Sequence, residues 1–148
     1  VKYRCLDHTS DLGLEIFGKD LPELFRNAGL AMFDNIVDLS QVAARESRHI
    51  ELHSASRDEL FLDWLRELLF RFASEYFVVR EVSSAQVRKS SSTQEPGFDE
   101  WLLSADVRGE KFDPARHRVK IEIKTPTYHM FSITEDAGGY KTTVVFDV

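Results

Sequence analysis

Three short stretches of this 148-residue chain gather side chains able to hold or move charge. The first is Leu6-Asp7-His8-Thr9-Ser10-Asp11-Leu12-Gly13, a run of five polar groups just ahead of an apolar alternation. Asp7 and Asp11 offer hard carboxylate oxygens, and the hydroxyls and carbonyls between them could complete a shell for calcium or magnesium. The same composition also suits an Asx or Ser/Thr turn leading into a strand. The second stretch is Val145-Phe146-Asp147-Val148. If Val148 closes the chain, Asp147 and the terminal carboxylate are neighbouring anions that repel each other, and a divalent cation would relieve the repulsion. A frayed tail is the competing reading, but the apolar run Thr143-Val144-Val145-Phe146 argues for a paired last strand with its end held in place. Alternation along that strand puts Val144 and Phe146 on one face and Asp147, with Val145 and Thr143, on the other. The third stretch is Lys124-Thr125-Pro126-Thr127-Tyr128-His129. There the Lys124 ammonium lies opposite the apolar face of Val119, Ile121 and Ile123, toward solvent or a partner, and Pro126 favours a bend or an edge position. A solvated lysine beside a turn is the alternative.

Other reactive residue types are sparse. The five histidines are His8, His49, His53, His117 and His129, and no two have metal-ligand spacing on an expected helix. His49 and His53 share a strand face but sit too far apart to share an ion without help. Cys5 is expected to be a small buried residue rather than a nucleophile. As the sole cysteine it excludes a disulfide framework or a cysteine-rich zinc site, which points to a reducing compartment, the cytoplasm by default. Phosphate-binding glycine loops, a nucleophile elbow and a zinc-protease helix motif are missing from the sequence.

These residues need a scaffold, and the composition supplies one. With 43% hydrophobic and 30% charged residues, the chain has the make-up of one globular domain spanning residues 1–148. A net charge of −6 argues against a broad basic surface that would hold nucleic acid directly. The most apolar segment, Phe61 to Phe72, carries four charges and cannot span a membrane, and the N-terminus lacks the apolar centre of a signal peptide.

The elements follow from periodicity. Val1 to Leu6 is a loop entering a strand or an edge strand, and Leu12 to Phe17 alternates as a half-buried strand that Gly18 ends. Asp20-Leu21-Pro22-Glu23 opens a helix to about Val37, with Leu24, Phe25, Ala28, Ala31 and Met32 at helical spacing. A strand is expected at Arg48 to His53. A second helix starts behind the capping residues Ser56-Arg57-Asp58-Glu59. Strands are then read at Tyr76–Val82, Ala85–Lys89, Trp101–Val107, Val119–Ile123, His129–Thr134 and Lys141–Asp147, with a Ser-rich hairpin tip around Ser90–Pro96 and a Gly138-Gly139 turn. Two helices packed on a mostly antiparallel β-sheet make an α+β fold.

In combination, His8-Thr9-Ser10-Asp11-Leu12-Gly13-Leu14, Leu24-Phe25, Ala31-Met32-Phe33-Asp34, Lys124-Thr125-Pro126-Thr127-Tyr128-His129 and Val145-Phe146-Asp147-Val148 resemble the archease family from end to end, in order and spacing. The resemblance implies a small α+β protein that is not itself an enzyme. Such a protein is a cofactor of the RtcB-type RNA ligase of tRNA splicing and RNA repair, speeding guanylylation of the ligase's active-site histidine and allowing multiple turnover. It further implies a divalent cation, calcium in the family with magnesium or manganese as alternatives, held by Asp11, Asp147 and Val148. Lys124 is implied in function, with His8 and His129 beside it in the two signatures. Ser10 stands where the family usually has Ala, Thr125-Pro126 replaces a commoner Ala-Val pair, and Ser90–Pro96 looks like a local insertion. Two rival readings use the same residues. One is a metal-dependent phosphoester hydrolase built on Asp11 and Asp147, for which only His8 or His129 could serve as general base; the other is a general chaperone-like binding module.

Overall fold

The computed structural model describes residues 2–6, 11–91 and 99–148, with only the backbone described at 91. Asp7, His8, Thr9 and Ser10 therefore lie outside the described residues, as does most of the Ser90–Pro96 loop. The order of elements is β1 (Tyr3–Leu6), β2 (Asp11–Gly18), α1 (Leu21–Ile36), β3 (Glu46–Ser54), α2 (Arg57–Glu75), β4 (Phe77–Ser91), β5 (Asp99–Lys111), β6 (Thr125–Pro126), β7 (Ile133–Asp136) and β8 (Gly139–Asp147). This is the expected α+β class with antiparallel pairing throughout, but the strands fall into two sheets. One has the order β1-β2-β8-β6, with β7 also paired to β8; the other has the order β3-β5-β4.

Both helices begin where their capping residues dictate. The Asp20 carboxylate accepts from the Glu23 N–H at 2.9 Å, and Glu23 Oε1 accepts from the Lys19 N–H at 3.3 Å, the reciprocal arrangement of a capping box. Ser56 Oγ accepts from the Glu59 N–H at 3.1 Å. The inner faces of the helices bury Leu24, Phe25, Ala28 and Met32 of α1 and Phe61, Trp64, Leu65 and Leu68 of α2. The polar edge of Trp64 is satisfied within this core, its Nε1–H donating to the Phe25 carbonyl at 2.8 Å. The first sheet contributes Leu14, Ile16, Val144 and Phe146 to the same core, and the second contributes Ile50, Leu103, Ala105 and Val107.

Five local expectations need correction. Tyr76 does not start a strand: it caps α2 in the left-handed region at φ 58°, its N–H bonding the Arg71 carbonyl. The two strands read on either side of Val82 are one long strand, β4, interrupted by bulges between Val79 and Glu81 and between Val82 and Ser84. Val119–Ile123 forms no strand. Val119 is exposed and makes only a single bridge to Val37, while Ile123 alone of the three apolar residues is buried, so the segment is pinned at points rather than along a ladder. The strand expected at His129–Thr134 begins only at Ile133. Cys5 is exposed at the β1 edge rather than buried, with Sγ 3.8 Å from Asn35 Oδ1.

The hairpin that returns the chain through β8 depends on Gly139. Its φ of 127° is closed to side-chain-bearing residues, and a Cβ there would stand 2.4 Å from the Gly18 carbonyl oxygen. That close approach fixes one end of the β2–β8 pair. Asp11 and Asp147 occupy the other end.

Candidate functional site

Residues at the two ends of the sequence become neighbours through register. β2 and β8 pair antiparallel with Asp11 opposite Asp147, Leu12 opposite Phe146 and Leu14 opposite Val144. Leu12 and Leu14 turn to the core with Phe146 and Val144, so a shift of one residue would send this apolar set to solvent. Hydrophobic packing along the strands thus sets the two carboxylates against each other. Side chains directly opposed in such a pair share a face, with Cβ atoms about 4.5–5.5 Å apart.

Asp147 has a second flank. β6 lies on the other side of β8 and brings Thr125 opposite Asp147 and Pro126 opposite Phe146. As the proline suggests, β6 is an edge strand of only two residues. The Lys124 N–H donates to the Asp147 carbonyl at 2.8 Å, and the Thr127 N–H and hydroxyl both donate to the Val145 carbonyl at 2.8 Å. The main chain before Asp147 is therefore fastened by Thr127, and Asp147 itself by Lys124. Asp11 is half-buried, whereas Asp147, Val148 and Lys124 are exposed.

The structure thus gathers Asp11, Asp147, Val148 and Lys124 at one end of one sheet. His129 is nearby in sequence and exposed; its N–H donates to Thr127 Oγ1 at 3.3 Å, and its ring has no polar contact among the described residues. His8 lies outside the described residues. His49 and His53 stay apart from this site and from each other: His49 Nδ1 is 2.8 Å from Asp106, and His53 Nδ1 is 3.0 Å from Glu100. The hydrogen bond to Asp106 raises the His49 pKa above its ordinary value.

Donor chemistry decides what such a site could hold. Two carboxylates beside main-chain carbonyls form an all-oxygen set, suited to calcium or magnesium rather than to a metal that prefers sulfur or imidazole. Among the described residues no three His, Cys, Asp or Glu side chains cluster as a metal site. An ion between Asp11 and Asp147 would therefore need main-chain or terminal oxygens as well, the kind of donor Val148 can supply.

Sequence reasoning missed how the third cluster is attached. The Tyr128 hydroxyl donates to Glu59 Oε2 at 3.0 Å, and the Arg66 guanidinium lies 5.1 Å from the Tyr128 ring centre. Glu59 was legible as a helix-start residue and Arg66 as one of the four charges in the segment from Phe61 to Phe72. Nothing in their spacing signalled that both meet a residue more than sixty positions later in the chain.

Comparison with known proteins bears on the family and the fold. The model of the archease protein family matches residues 3–148. The chain is 36% identical to "Protein archease" of Methanosarcina barkeri, across 99% of this chain and 96% of that protein. It is 30% identical to "Protein archease-like" of Drosophila melanogaster, across 100% of this chain and 91% of the relative. The solution structure of Methanobacterium thermoautotrophicum protein 1598 superposes with a TM-score of 0.79 at 33% identity, with 99% of each chain covered. With sequence and fold in accord over almost the full length, this chain belongs to the archease family.

Proposed function

We propose that the chain is a non-catalytic cofactor that activates an RtcB-type RNA ligase, promoting guanylylation of the ligase's active-site histidine by GTP and so multiple turnover in tRNA splicing and RNA repair. The observation that carries this reading is the register that sets Asp11 against Asp147. In this proposal Asp11, Asp147 and oxygens of Val148 hold a divalent cation, calcium first. The bound ion supplies positive charge that neutralises the opposed carboxylates. Lys124, exposed beside them, is available to an anionic group on the partner.

Activation requires a difference in interaction. A cofactor that bound all states of the ligase equally would shift nothing, so the sheet end that carries Asp11 and Asp147 must favour the arrangement in which the histidine attacks the nucleotide. The chain's own residues contribute shape and charge to that preference: β2 and β8 hold the carboxylates, and the 124–127 segment holds the end of β8. The net charge of −6 fits a protein that acts on RNA metabolism through a nucleotide-binding partner, rather than by gripping RNA itself. No described helix is long and apolar enough to cross a membrane, and we place the protein in the cytoplasm with its partner.

The test is stimulation of ligase guanylylation, read as label transferred from GTP to the ligase. Asp11→Ala and Asp147→Ala are expected to abolish stimulation while retaining the wild-type circular dichroism spectrum; full stimulation by both variants overturns the proposal. The hydrolase reading is separated in the same assay series. Phosphoester turnover with magnesium or manganese and no ligase would establish it, whereas the cofactor reading expects none. Protection of unrelated clients from aggregation would instead favour the chaperone-like module.

A further inference from the structure

We infer that Tyr128 is a positioning residue for the Asp11–Asp147 site, acting as a latch that fastens the end of β8 to helix α2; this rests on the ion-binding reading proposed above. The argument begins with β6. A two-residue edge strand containing proline has little hydrogen bonding of its own, since Pro126 contributes no N–H. Yet this short strand is what borders Asp147. Lys124 donates to the Asp147 carbonyl, and Thr127 donates twice to the Val145 carbonyl. Without an anchor beyond Thr127, these three bonds would open together, as peripheral elements with few contacts do.

The anchor is the next residue. Tyr128 is 58% exposed, so burial does not hold it, but each part of its side chain is engaged with α2. Its hydroxyl donates to Glu59 Oε2, and its ring lies against the Arg66 guanidinium, which Asp63 Oδ1 holds at 3.0 Å. Glu59, Asp63 and Arg66 lie three or four residues apart along the helix, and so on one face of α2. The chain then turns, with the Phe131 N–H on the Tyr128 carbonyl at 3.0 Å, and Phe131 stacks on buried Phe61 of α2 with ring centres 5.5 Å apart. Between Tyr128 and Phe131 sits Met130, 80% exposed and at φ 54°, a left-handed conformation a methionine adopts only when its neighbours impose it. Two fixed points on a capped helix thus define the path of the strap, and the strap defines where the carbonyl of Asp147 can be.

A latch of this kind acts on the ion without touching it. Losing it should loosen the strap more than it unfolds the core, because Tyr128 contributes little buried surface. Calcium binding by the purified full chain, measured by titration calorimetry, is expected to weaken about fivefold in Tyr128→Phe, the equivalent of one ordinary hydrogen bond, and about tenfold in Tyr128→Ala. Glu59→Gln keeps an acceptor for the hydroxyl and should bind almost as wild type, whereas Glu59→Ala should behave like Tyr128→Phe. Phe70→Ser, at an exposed position on the same helix, serves as the control with unchanged affinity.

A second readout needs no metal. Amide hydrogen exchange by NMR should quicken at Lys124 and Thr127 in Tyr128→Phe while core amides of α1 and β2 keep their wild-type protection. A residue with only a general structural role would instead speed exchange globally. Tyr128→Phe and Tyr128→Ala proteins that bind calcium as tightly as the wild type, or that leave Lys124 and Thr127 exchange unchanged, overturn the latch and leave the site standing. A wild-type protein that takes up no calcium overturns the ion site and the latch together, a failure visible before any variant is made.

Discussion

Two acidic clusters in this protein solve the problem of carboxylate charge in opposite ways. Glu110, near the end of β5, is 4% exposed and surrounded by donors. Arg116 reaches it with both terminal nitrogens, at 2.7 and 3.1 Å, and the Ala43 N–H lies at 2.7 Å. His117, also buried, completes the set: its Nδ1 accepts from the Asp113 N–H at 2.8 Å, which leaves the proton on Nε2 to donate to Glu110 at 3.0 Å. Arg116 foremost, helped by the Ala43 and His117 donors and opposed by burial, drives the Glu110 pKa down to about 2. At the other site, register puts Asp147 against Asp11, anion facing anion, and among the described residues no basic side chain forms an ion pair with Asp147. Glu110 finishes its chemistry inside the molecule and joins the 43–45 connection to the 113–117 loop. At the sheet end two carboxylates are set directly opposite each other, an arrangement that costs stability wherever like charges face across a strand pair. The difference separates a charge matched by donors in a buried cluster from like charges that strand register sets side by side.

The sharpest way to break that contrast is to remove Glu110. Glu110→Ala leaves His117 buried without its acceptor and Arg116 without its main partner, and it is expected to cost about 3 kcal/mol of stability. For a domain of this size that lowers Tm by about 6–12 °C. Thermal melts and urea titrations would measure it, and a loss below about 1 kcal/mol would mean that the cluster holds no more than a surface ion pair does. Ligase stimulation by the portion still folded should be unaffected.

The pH dependence tests the same cluster more gently. Glu110 has a folded-state pKa of about 2 against an ordinary value of 4.5. A depressed carboxylate pKa contributes stability that is fully present above the unfolded value and disappears as pH falls through the folded one. Stability should therefore decline from about pH 4.5 toward pH 2, and Glu110→Ala should flatten that part of the wild-type curve. If the two curves stay parallel over that range, Glu110 is not the group responsible.

How much of this contrast could be read in advance depended on the range of the interaction. Both helix starts were legible because capping is local: Asp20 with Glu23 and Ser56 with Glu59 sit three residues apart in sequence and in space. The β2 and β8 alternations were legible too, and they sufficed to put Leu14 and Val144 inside. That Asp11 and Asp147 would face each other required knowing that β2 and β8 are neighbours, information that periodicity does not contain; the family resemblance implied a shared ion but not the pairing of the strands. The Glu110 cluster joins positions 43, 110, 116 and 117 through a loop without regular structure, and the Tyr128 latch joins 59, 66 and 128. Neither has a sequence period. Val119–Ile123 shows the converse failure, a perfect alternation that lacks a neighbouring strand along its length and so forms one bridge instead of a ladder.

The smallest expected effect sharpens the other half of the comparison. Asp147→Asn keeps the shape of the side chain and removes one of the two opposed charges, so in chelator it should stabilise the protein, by about 0.5 kcal/mol. Repulsion near the surface is screened, so this gain should shrink as salt approaches about 1 M. Adding calcium should reverse the order: a ligand that binds only the folded wild type stabilises it in proportion to the logarithm of its concentration over Kd, while the asparagine variant gains much less. Glu110→Ala should show neither the salt effect nor the reversal, since its cluster is buried and internally neutralised. A variant that is no more stable than wild type in chelator would mean that the opposed carboxylates already have their charge balanced, and the distinction between the two clusters would collapse.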